Sequence, residues 1–393
     1  MQIDGHHAGT YVAARLAGFA HGEAQTIAYA AQYIDDATND GIIEFSNSSF
    51  LYARTASAHR MIDAGNLLEI QNHLAWLPFH FLPGNDLLPA GEHPSGGEQH
   101  QLACHPDSPV ARDMLRHSLA DRNSLRGLHR LGIAMHVYAD TFSHQGFVGA
   151  ISPLNRISKA TSGDAALDRH IRKATERQLF ARIWCKSRAI VSFLAMLFVV
   201  ACHARKSPVR FALDFFRHDP LGHAAAGCFP DLPFLVWQFH NAENLPIHRD
   251  NPAIYLDALN MMVRAMSAWR AGDYTMALEK YPGMSAADTS IARKLFCGLK
   301  DPRGEVRHAQ WCEAIRAGLF SFGSADVHYV AKGAGSWKAA ALGSCRDKDR
   351  RFETYLYSAD FLHSHWKLFH DAAQAHRNDV VHDILPNYGI CAA

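Results

Sequence analysis

Three kinds of pattern are missing from this sequence, and each absence excludes a class of protein. The longest apolar run, Ala189 to Cys202, has only 14 residues, whereas a membrane-spanning helix needs about 20. That run predicts a buried helix or, as the alternative, a hairpin that touches a membrane. The eight cysteines contain no CxxC pair, so zinc-ribbon and thioredoxin-type motifs are absent. The formal net charge of +1 gives no electrostatic reason to expect a nucleic-acid partner.

The beginning of the chain also lacks a familiar pattern. The residues Met-Gln-Ile-Asp-Gly-His-His do not form a basic stretch followed by an apolar one, which is the pattern of a secretory signal peptide. We therefore expect a cytoplasmic protein, or one that is exported by a route that uses no such signal.

What the sequence has in excess is histidine. It contains 26 histidines against 39 lysines and arginines together, which favours metal chemistry because neutral imidazole is the commonest metal ligand in proteins. The remaining composition is ordinary, with 48% hydrophobic and 20% charged residues. Such a chain predicts a globular protein with one large or two moderate domains.

Apolar residues recur at helical spacing through much of the chain, and strand patterns are sparse. The pattern predicts helices over residues 10–19, 24–36, 46–63, 112–147, 165–216, 253–274 and 358–385. We therefore predict an all-α fold, a helical bundle with a multi-metal site in its core. A boundary near residues 241–251 predicts a domain over residues 1–245. Residues 246–393 would form a C-terminal helical region, which could pack on the first as one unit.

The most informative stretch contains His136, Asp140 and His144, which follow one another at intervals of four residues. On a helix this spacing projects all three side chains from one face. Imidazole and carboxylate groups are the ligands that hold zinc and related divalent ions. The surrounding residues are small or apolar, and an unpaired charge in such an interior is costly. The stretch predicts a metal site; the alternatives are an exposed polar stripe or a core histidine hydrogen-bonded to Asp140.

Other histidines and carboxylates could complete such a site, although each alone is a weak signal. Asp35 continues the apolar face of its predicted helix and is therefore expected to point inward. A site for several ions needs carboxylates that bridge them, histidines that complete their coordination and an open position for water. The candidates outside the central stretch are Asp4, His6, Asp35, Asp36, His59, His223 and Asp231.

The order of these residues resembles that of the zinc-dependent phospholipase C and P1 nuclease superfamily, whose members are all-helical and carry three zinc ions. The stretch from His136 to His144 is similar to a segment of glycosylphosphatidylinositol phospholipase D. The elements Asp4-x-His6, Tyr33-Ile-Asp-Asp36 and the segment from Gly222 to Asp231 resemble a bacterial group of metallophospholipases C known from Legionella and Pseudomonas. The resemblance covers roughly residues 1–240.

The resemblance implies a centre of two or three zinc ions, in which Asp140 bridges two of them. The ions would be held by three sets of residues: His136, His59 and Asp35; Asp4 and His6; and His144, His223 and Asp231. In the superfamily, a processed N-terminal residue also binds through its amine and carbonyl groups. This chain has no N-terminal tryptophan, so we expect the side chain of Asp4 to take that role and an N-terminal tag to be tolerated.

The function that the resemblance implies is that of a phospholipase C. The enzyme would hydrolyse the phosphodiester of glycerophospholipids, most of all phosphatidylcholine, with a metal-activated water that Asp35 orients or deprotonates. His80 and Trp237 are the candidates for substrate binding among several aromatic residues, since aromatic faces attract a quaternary ammonium group. The expected partners are a phospholipid and, transiently, a membrane surface, with no nucleic acid and no obligate protein partner.

Three alternatives remain open at the level of the sequence. A single-strand nuclease, or another phosphodiesterase of the same superfamily, would normally need a basic groove, which the balanced charge does not favour. A phosphohydrolase of the HD type is suggested by the pairs His218-Asp219, His370-Asp371 and His382-Asp383. A helical interaction protein with a structural metal would show a closed set of ligands without a position for water.

Overall fold

The computed structural model describes residues 1–58, 69–173, 219–344 and 355–392, and it is mostly helical. A π-helix, Asp4–Gly9, leads directly into helix α1, Thr10–Leu16. A further helical segment covers residues 165–173, and Arg172 in it donates a hydrogen bond to the carbonyl of Ala160 at 2.9 Å. The other main helices are α2 His21–Asp36, α3 Glu69–Phe79, α4 Glu98–Leu102, α5 Pro109–Ser118, α6 Gly127–Ser143, α7 Asn251–Ala271, α8 Ala286–Gly298, α9 Gly304–Arg316, α10 Trp337–Leu342 and α11 His365–Asn378, which continues into a π-helix, Asp379–Ile384.

Two small antiparallel sheets correct the expectation of a purely α-helical fold. Strands β1, Gly41–Glu44, and β2, Leu51–Arg54, form a hairpin, where the sequence predicted a helix from residue 46 onward. Strands β3, Ser158–Thr161, β4, Val236–His240, and β5, Pro246–Asp250, form the second sheet. Each strand has four or five residues, which is too short for alternation with period two to stand out in the sequence.

Local signals account for the ends of the long helices. In α7 the carboxylate of Asp250 accepts a hydrogen bond from the backbone N–H of Ala253 at 3.0 Å, which caps the first turn. Pro252 follows in the first turn, where its missing N–H costs nothing. The helix ends at Gly272, whose φ of +72° is a left-handed conformation that favours glycine.

Helix α6 lies at the centre of the molecule. All of its residues except Leu128 are buried, so it is surrounded by other parts of the chain on every side. It packs against α2, α7, α11 and α5. Gly132 allows a close approach to α2, because a Cβ there would lie 2.3 Å from the carbonyl oxygen of Ile27. The polar residues of α6 are therefore carried into the interior.

One hydrophobic core joins residues from both sides of the predicted boundary near residue 245. Its largest cluster includes Tyr11 and Met135 as well as Trp269, Trp311 and Tyr388. Helices α7 and α11 both contact α6 directly. The helices that follow residue 250 therefore complete the packing around the central helix.

Within the described residues, no helix is both long enough and apolar enough to cross a bilayer. The apolar run from Ala189 to Cys202 lies outside the described residues, as does most of the helix predicted over residues 165–216.

Candidate metal centre

The N-terminal segment enters the interior beside the polar face of α6. All residues of the π-helix Asp4–Gly9 are buried, and the amine of Met1 lies 2.7 Å from Oδ1 of Asp140. The same amine lies 3.4 Å from Oδ1 of Asp231 and 3.4 Å from Oγ of Ser143. The structure thus places the backbone amine, rather than the side chain of Asp4, against the predicted bridging carboxylate.

Asp140 is the centre of the cluster, and its two oxygens face different sets of nitrogen atoms. Oδ1 lies 3.2 Å from Nε2 of His6, in addition to its contact with the Met1 amine. Oδ2 lies 3.3 Å from Nε2 of His136, 3.5 Å from Nδ1 of His80 and 3.6 Å from Nδ1 of His144. Each oxygen of this carboxylate faces its own set of nitrogen atoms that could bind a metal ion. This is the arrangement needed for a carboxylate to bridge two cations.

The candidate ligand atoms form three groups around this carboxylate, and within each group they lie no more than 4.8 Å apart. The groups are His6, His136 and Asp140; Asp35, His80 and His136; and His144, His223 and Asp231. Spatially close histidines and carboxylates from five separate chain segments define the site. Of the distant residues that the sequence singled out, the structure brings His6, Asp35, His223 and Asp231 to α6.

Backbone carbonyl groups orient three of the histidines. Nε2 of His80 donates to the carbonyl of Ser57 at 3.1 Å, and Nδ1 of His144 donates to the carbonyl of His80 at 2.8 Å. In the same way Nδ1 of His223 donates to the carbonyl of Gly227 at 2.9 Å. Each of these hydrogen bonds uses the protonated nitrogen, so the lone pair of the other nitrogen is available to a metal ion.

Several buried polar atoms of the cluster have no hydrogen-bond partner. They are both ring nitrogens of His6, Nδ1 of His136, Oδ2 of Asp140 and Oδ1 of Asp231. The rings of His6 and His136 are stacked with their centroids 3.8 Å apart, so they do not satisfy each other. Buried polar atoms are nearly always paired, and these are imidazole nitrogens and carboxylate oxygens. The donor set therefore fits divalent cations such as zinc.

The charges of the cluster suit the same ligands. Burial alone would raise the pKa of the Asp140 carboxyl, but His144, the Met1 amine and His6 hold it well below its usual range. Burial lowers the pKa of His6 to about 4, so this ring is neutral near physiological pH. The amine of Met1 has a pKa raised to about 10, because Asp140 and Asp231 outweigh the effect of its burial. At neutral pH the cluster thus combines the ionised carboxylate of Asp140 with the neutral imidazole of His6.

Asp35 stands on the open side of the cluster. Its side chain is 34% exposed, whereas that of Asp140 is 1% exposed. Its Oδ1 lies 3.8 Å from Nδ1 of His80 and 4.0 Å from Nε2 of His136. Burial and the neighbouring Asp140 raise the pKa of Asp35 well above its usual value. A carboxyl group in this place lies where water can enter.

The structure does not bring Asp4, which was predicted to be a metal ligand, into any of the three groups. Its carboxylate is buried and accepts two hydrogen bonds from Arg307, from Nε at 2.6 Å and from Nη2 at 3.0 Å. Arg307 also donates to the side chain of Gln2. This bidentate pair uses both oxygens of Asp4 and anchors the N-terminal segment that carries the Met1 amine and His6.

Three further predicted residues have other places or roles. Asp36 accepts a hydrogen bond from the hydroxyl of Tyr329 at 2.8 Å and lies outside the three groups. Trp237, predicted to contact substrate, is a core residue whose Nε1 donates to Asn251. His80, also predicted to contact substrate, is instead part of the candidate ligand set. His59 lies outside the described residues.

Of the pairs that suggested an HD-type enzyme, His370-Asp371 is engaged elsewhere. Nδ1 of His370 donates to the carbonyl of Thr55 at 3.0 Å. Asp371 pairs with Nζ of Lys367 at 2.5 Å and accepts from the hydroxyl of Tyr52 at 2.9 Å. His218 lies outside the described residues.

The positions of His80 and of the Met1 amine in the cluster differ from those expected from the sequence. His80 follows the apolar stretch Leu77-Pro-Phe79, and a histidine in such a stretch is a signal for a buried, hydrogen-bonded ring. The resemblance implies an amine ligand from the N-terminal residue, but the sequence-based prediction gave that role to the side chain of Asp4. Both positions depend on contacts between segments that are far apart in the chain.

Comparison with known proteins identifies the family to which this chain belongs. The chain belongs to a family of unknown function, DUF6765, whose model matches residues 1–384. The match spans nearly the whole chain, including the helices that follow residue 250. No curated protein and no solved structure matches the chain.

Proposed function

We propose that this protein is a metal-dependent phosphoric diester hydrolase of the phospholipase C type. The observation that carries the proposal is the set of unpartnered, buried imidazole and carboxylate atoms around Asp140. The order of the candidate ligands along the chain resembles that of the zinc-dependent phospholipase C and P1 nuclease superfamily, and this resemblance supports the same chemistry. Three ligand groups around one carboxylate suit two or three zinc ions, because adjacent ions in such sites lie about 3.5–4 Å apart.

The distances favour a particular division of the ligands. Oδ1 of Asp140 faces His6 and the Met1 amine, whereas Oδ2 faces His136 and His80. Since a ring nitrogen binds one ion at a time, His136 belongs with His80 and Asp35 in this proposal. The three sets of residues are then His6, Asp140 and the Met1 amine; Asp35, His80, His136 and Asp140; and His144, His223 and Asp231.

The proposed chemistry is the hydrolysis of a phosphodiester by water. When bound, the ions would neutralise the phosphoryl oxygens and lower the pKa of a water molecule. Asp35 is the catalytic residue in this proposal, because its half-exposed carboxylate can orient the attacking water and accept its proton. The carbonyl groups of Ser57, His80 and Gly227 hold the imidazoles in the tautomer that this chemistry requires.

Phosphatidylcholine remains the proposed substrate, and one aromatic residue supports it. Trp76 is half-buried, and its ring centroid lies 5.1 Å from that of His80. An indole ring at the edge of a phosphodiesterase site can attract a trimethylammonium group by the negative charge on its face. The net charge of +1 gives less support to the single-strand nuclease, which needs a basic groove.

The first test combines metal analysis with a substrate screen. The purified protein should contain zinc and hydrolyse a phosphatidylcholine analogue, and chelation should abolish this activity until zinc is restored. His223→Ala should lose zinc and activity. His248→Ala, which removes an exposed histidine from β5, should change neither.

The outcome of the screen also separates the alternatives. Hydrolysis of single-stranded DNA or RNA in preference to the phospholipid would identify a nuclease. Zinc that is bound stoichiometrically by a protein with no activity on any phosphodiester would refute the enzymatic proposal and favour a structural metal.

A further inference from the structure

Several exposed apolar side chains lie on the β1–β2 hairpin and on the segment 355–363, which contacts it. They are Ile42, Phe50, Leu51, Leu356 and Leu362, with exposed fractions between 45% and 69%. In the hairpin, Ile42 and Leu51 share the outward face, whereas Ile43 and Tyr52 point inward. We call these five residues the apolar patch.

The apolar patch borders a pocket of about 530 Å³ with mostly apolar walls. Aromatic rings meet edge to face around it: Phe50 and Tyr357 lie 4.9 Å apart, and Tyr52 and Phe361 lie 5.2 Å apart. A volume of roughly 300–1,000 Å³ is usual for a small-ligand pocket. The pocket and the patch together present an apolar surface with tyrosines in its walls.

The surface is held firmly rather than on a loose loop. The amide of Asn47, in the turn of the hairpin, accepts from the N–H of Tyr357 at 2.7 Å and donates to its carbonyl at 3.0 Å. The backbone N–H of Ser46 donates to the carbonyl of Tyr355 at 2.9 Å. The hairpin and the second segment therefore form one unit.

The base of the same hairpin adjoins the candidate metal centre. Before β1 the chain leaves α2 just after Asp35, and after β2 it reaches Ser57, whose carbonyl accepts from Nε2 of His80. The backbone N–H of Ser57 donates to the carbonyl of Ala37 at 3.0 Å and closes this base. Strands of four residues span about 13 Å, so the apolar patch and the site lie within the length of one hairpin.

We propose that the apolar patch and its pocket are the surface with which this protein contacts a zwitterionic phospholipid bilayer, an inference that rests on the proposed function. Large exposed apolar patches on soluble domains mark membrane or protein contacts. Tyrosines at the border suit the interface between lipid and water. Lys367, in the pocket wall, already pairs with Asp371.

The charge of this surface favours a zwitterionic bilayer over an anionic one. The two described segments, residues 41–54 and 355–367, carry two acidic residues, Glu44 and Asp360, and two basic residues, Arg54 and Lys367. A surface that binds anionic lipid gains its affinity from an excess of lysine and arginine. Here the charges balance, so binding must come from apolar contact.

The size of the apolar patch favours a bilayer over a second copy of the chain. Five partly exposed apolar side chains present on the order of 500 Å², within the range of about 300–600 Å² for the largest apolar patch of a monomer. A standard protein–protein interface buries about 800 Å² on each partner. The apolar patch is smaller than such an interface.

The test measures binding to vesicles and hydrolysis separately. Leu51→Ser/Leu356→Ser removes the two most exposed leucines of the patch, and Ile42→Ser/Phe50→Ser is a second, independent variant. Leu319→Ser is the matched control: Leu319 is 53% exposed and follows α9, whose Arg316 pairs with Asp326. The backbone carbonyl of Asp326 accepts from Gln25, near the end of α2 that is opposite to the hairpin. Flotation with pure phosphatidylcholine vesicles gives the bound fraction of each protein.

Each patch variant should bind these vesicles at least tenfold more weakly than the unaltered chain, since one buried apolar side chain contributes about tenfold or more. The ratio of hydrolysis of vesicle lipid to that of a soluble short-chain analogue should fall equally. The Leu319 variant should behave like the unaltered chain. Added anionic lipid or changed salt concentration should alter binding little.

Unaltered vesicle binding in both patch variants would overturn the proposal, and so would an unaltered chain that does not bind vesicles. A dimer in sedimentation analysis that both patch variants dissociate would show that a second copy occupies the surface. Patch-dependent vesicle binding without hydrolysis of any phosphodiester would refute the proposed function while leaving the bilayer contact in place.

Discussion

Asp4 and Asp140 are both buried carboxylates that the sequence pointed to as metal ligands, yet their surroundings differ. Asp4 faces the guanidinium of Arg307, which donates two hydrogen bonds to it. Asp140 has no lysine or arginine partner among the described residues; its partners are imidazoles and the Met1 amine. The side chains of Asp4 and Asp140 are 0% and 1% exposed, so the degree of burial does not distinguish the two carboxylates.

The difference lies in the lone pairs of the neighbouring groups. A guanidinium has donors and no acceptor, so the pair of Asp4 and Arg307 is complete and leaves no place for a cation. An imidazole that donates from one nitrogen offers a lone pair on the other, so the neighbours of Asp140 can share a cation with it. A buried aspartate therefore predicts a metal only where its neighbours are also ligands.

The largest expected effect is that of Asp140→Asn. The substitution preserves the shape of the side chain and removes the negative charge that both ligand sets share, so two ions should weaken together. Changes behind the ligands typically cost 10–100-fold in metal affinity or activity, and the loss here should exceed about 100-fold. Zinc content by elemental analysis and kcat/KM on a phosphatidylcholine analogue measure the effect. A variant that keeps its full metal content and activity would show that Asp140 bridges nothing.

The second prediction concerns the ion pair of Asp4 and Arg307. Arg307→Met leaves Asp4 as a buried charge without a partner, which should lower the free energy of unfolding by about 3–5 kcal/mol. Because the pair anchors the segment that carries His6, zinc in that set should be lost before zinc held by His144, His223 and Asp231. Denaturant unfolding and zinc content measure the two effects.

Arg130→Met is the matched control for this prediction. Arg130 is also fully buried and pairs with a carboxylate, that of Asp379, far from the N-terminal segment in sequence. It should destabilise the fold without selective loss of zinc. Equal loss of zinc in the two variants would show that Arg307 contributes only to general stability.

The third prediction reverses the sequence-based expectation that an N-terminal tag is tolerated. Two residues added before Met1 convert its amine into an amide, which carries no charge and no available lone pair, at a position that is 4% exposed. Zinc content should fall, and activity should fall by about 10–100-fold. The same residues added at the other end of the chain should have little effect. Full activity with the N-terminal addition would show that the amine has no part in the site.

These contrasts explain which parts of the site could be predicted from the sequence. The spacing of His136, Asp140 and His144 is a local property of one helix, and the structure places all three side chains in the cluster. The pairing of Asp4 with Arg307 joins residues 303 positions apart, and no local pattern indicates it. From the sequence, His80 was predicted to bind substrate together with neighbouring aromatic residues. Its hydrogen bond to the carbonyl of Ser57 could not be predicted, because the position of Ser57 is set by the hairpin that precedes it.

The fold shows the same limit. Helical periodicity predicted α2 and α7, which bury a stripe of apolar residues over several turns. It did not predict α8 and α9, and the range predicted as one helix over residues 112–147 is divided between α5 and α6. The hairpin β1–β2 was missed because its strands have four residues each and owe their pairing to contacts with residues 355–357. Trp237 could not be recognised as a core residue, since a tryptophan in a core and one at a pocket look alike in sequence.

The smallest effect is expected for Asp36→Asn, which is compared with the same substitution at the adjacent residue, Asp35. Asp36 accepts a hydrogen bond from Tyr329, and an asparagine oxygen can accept it too, so the free energy of unfolding should change by less than about 1.5 kcal/mol. Zinc content and activity should stay at the level of the unaltered protein. Asp35→Asn, one residue earlier and of identical chemistry, should lose most of its activity, because that carboxylate faces His80 and His136. If Asp36→Asn lost activity as Asp35→Asn is expected to, the division between ligand and structural carboxylate drawn from these contacts would be wrong.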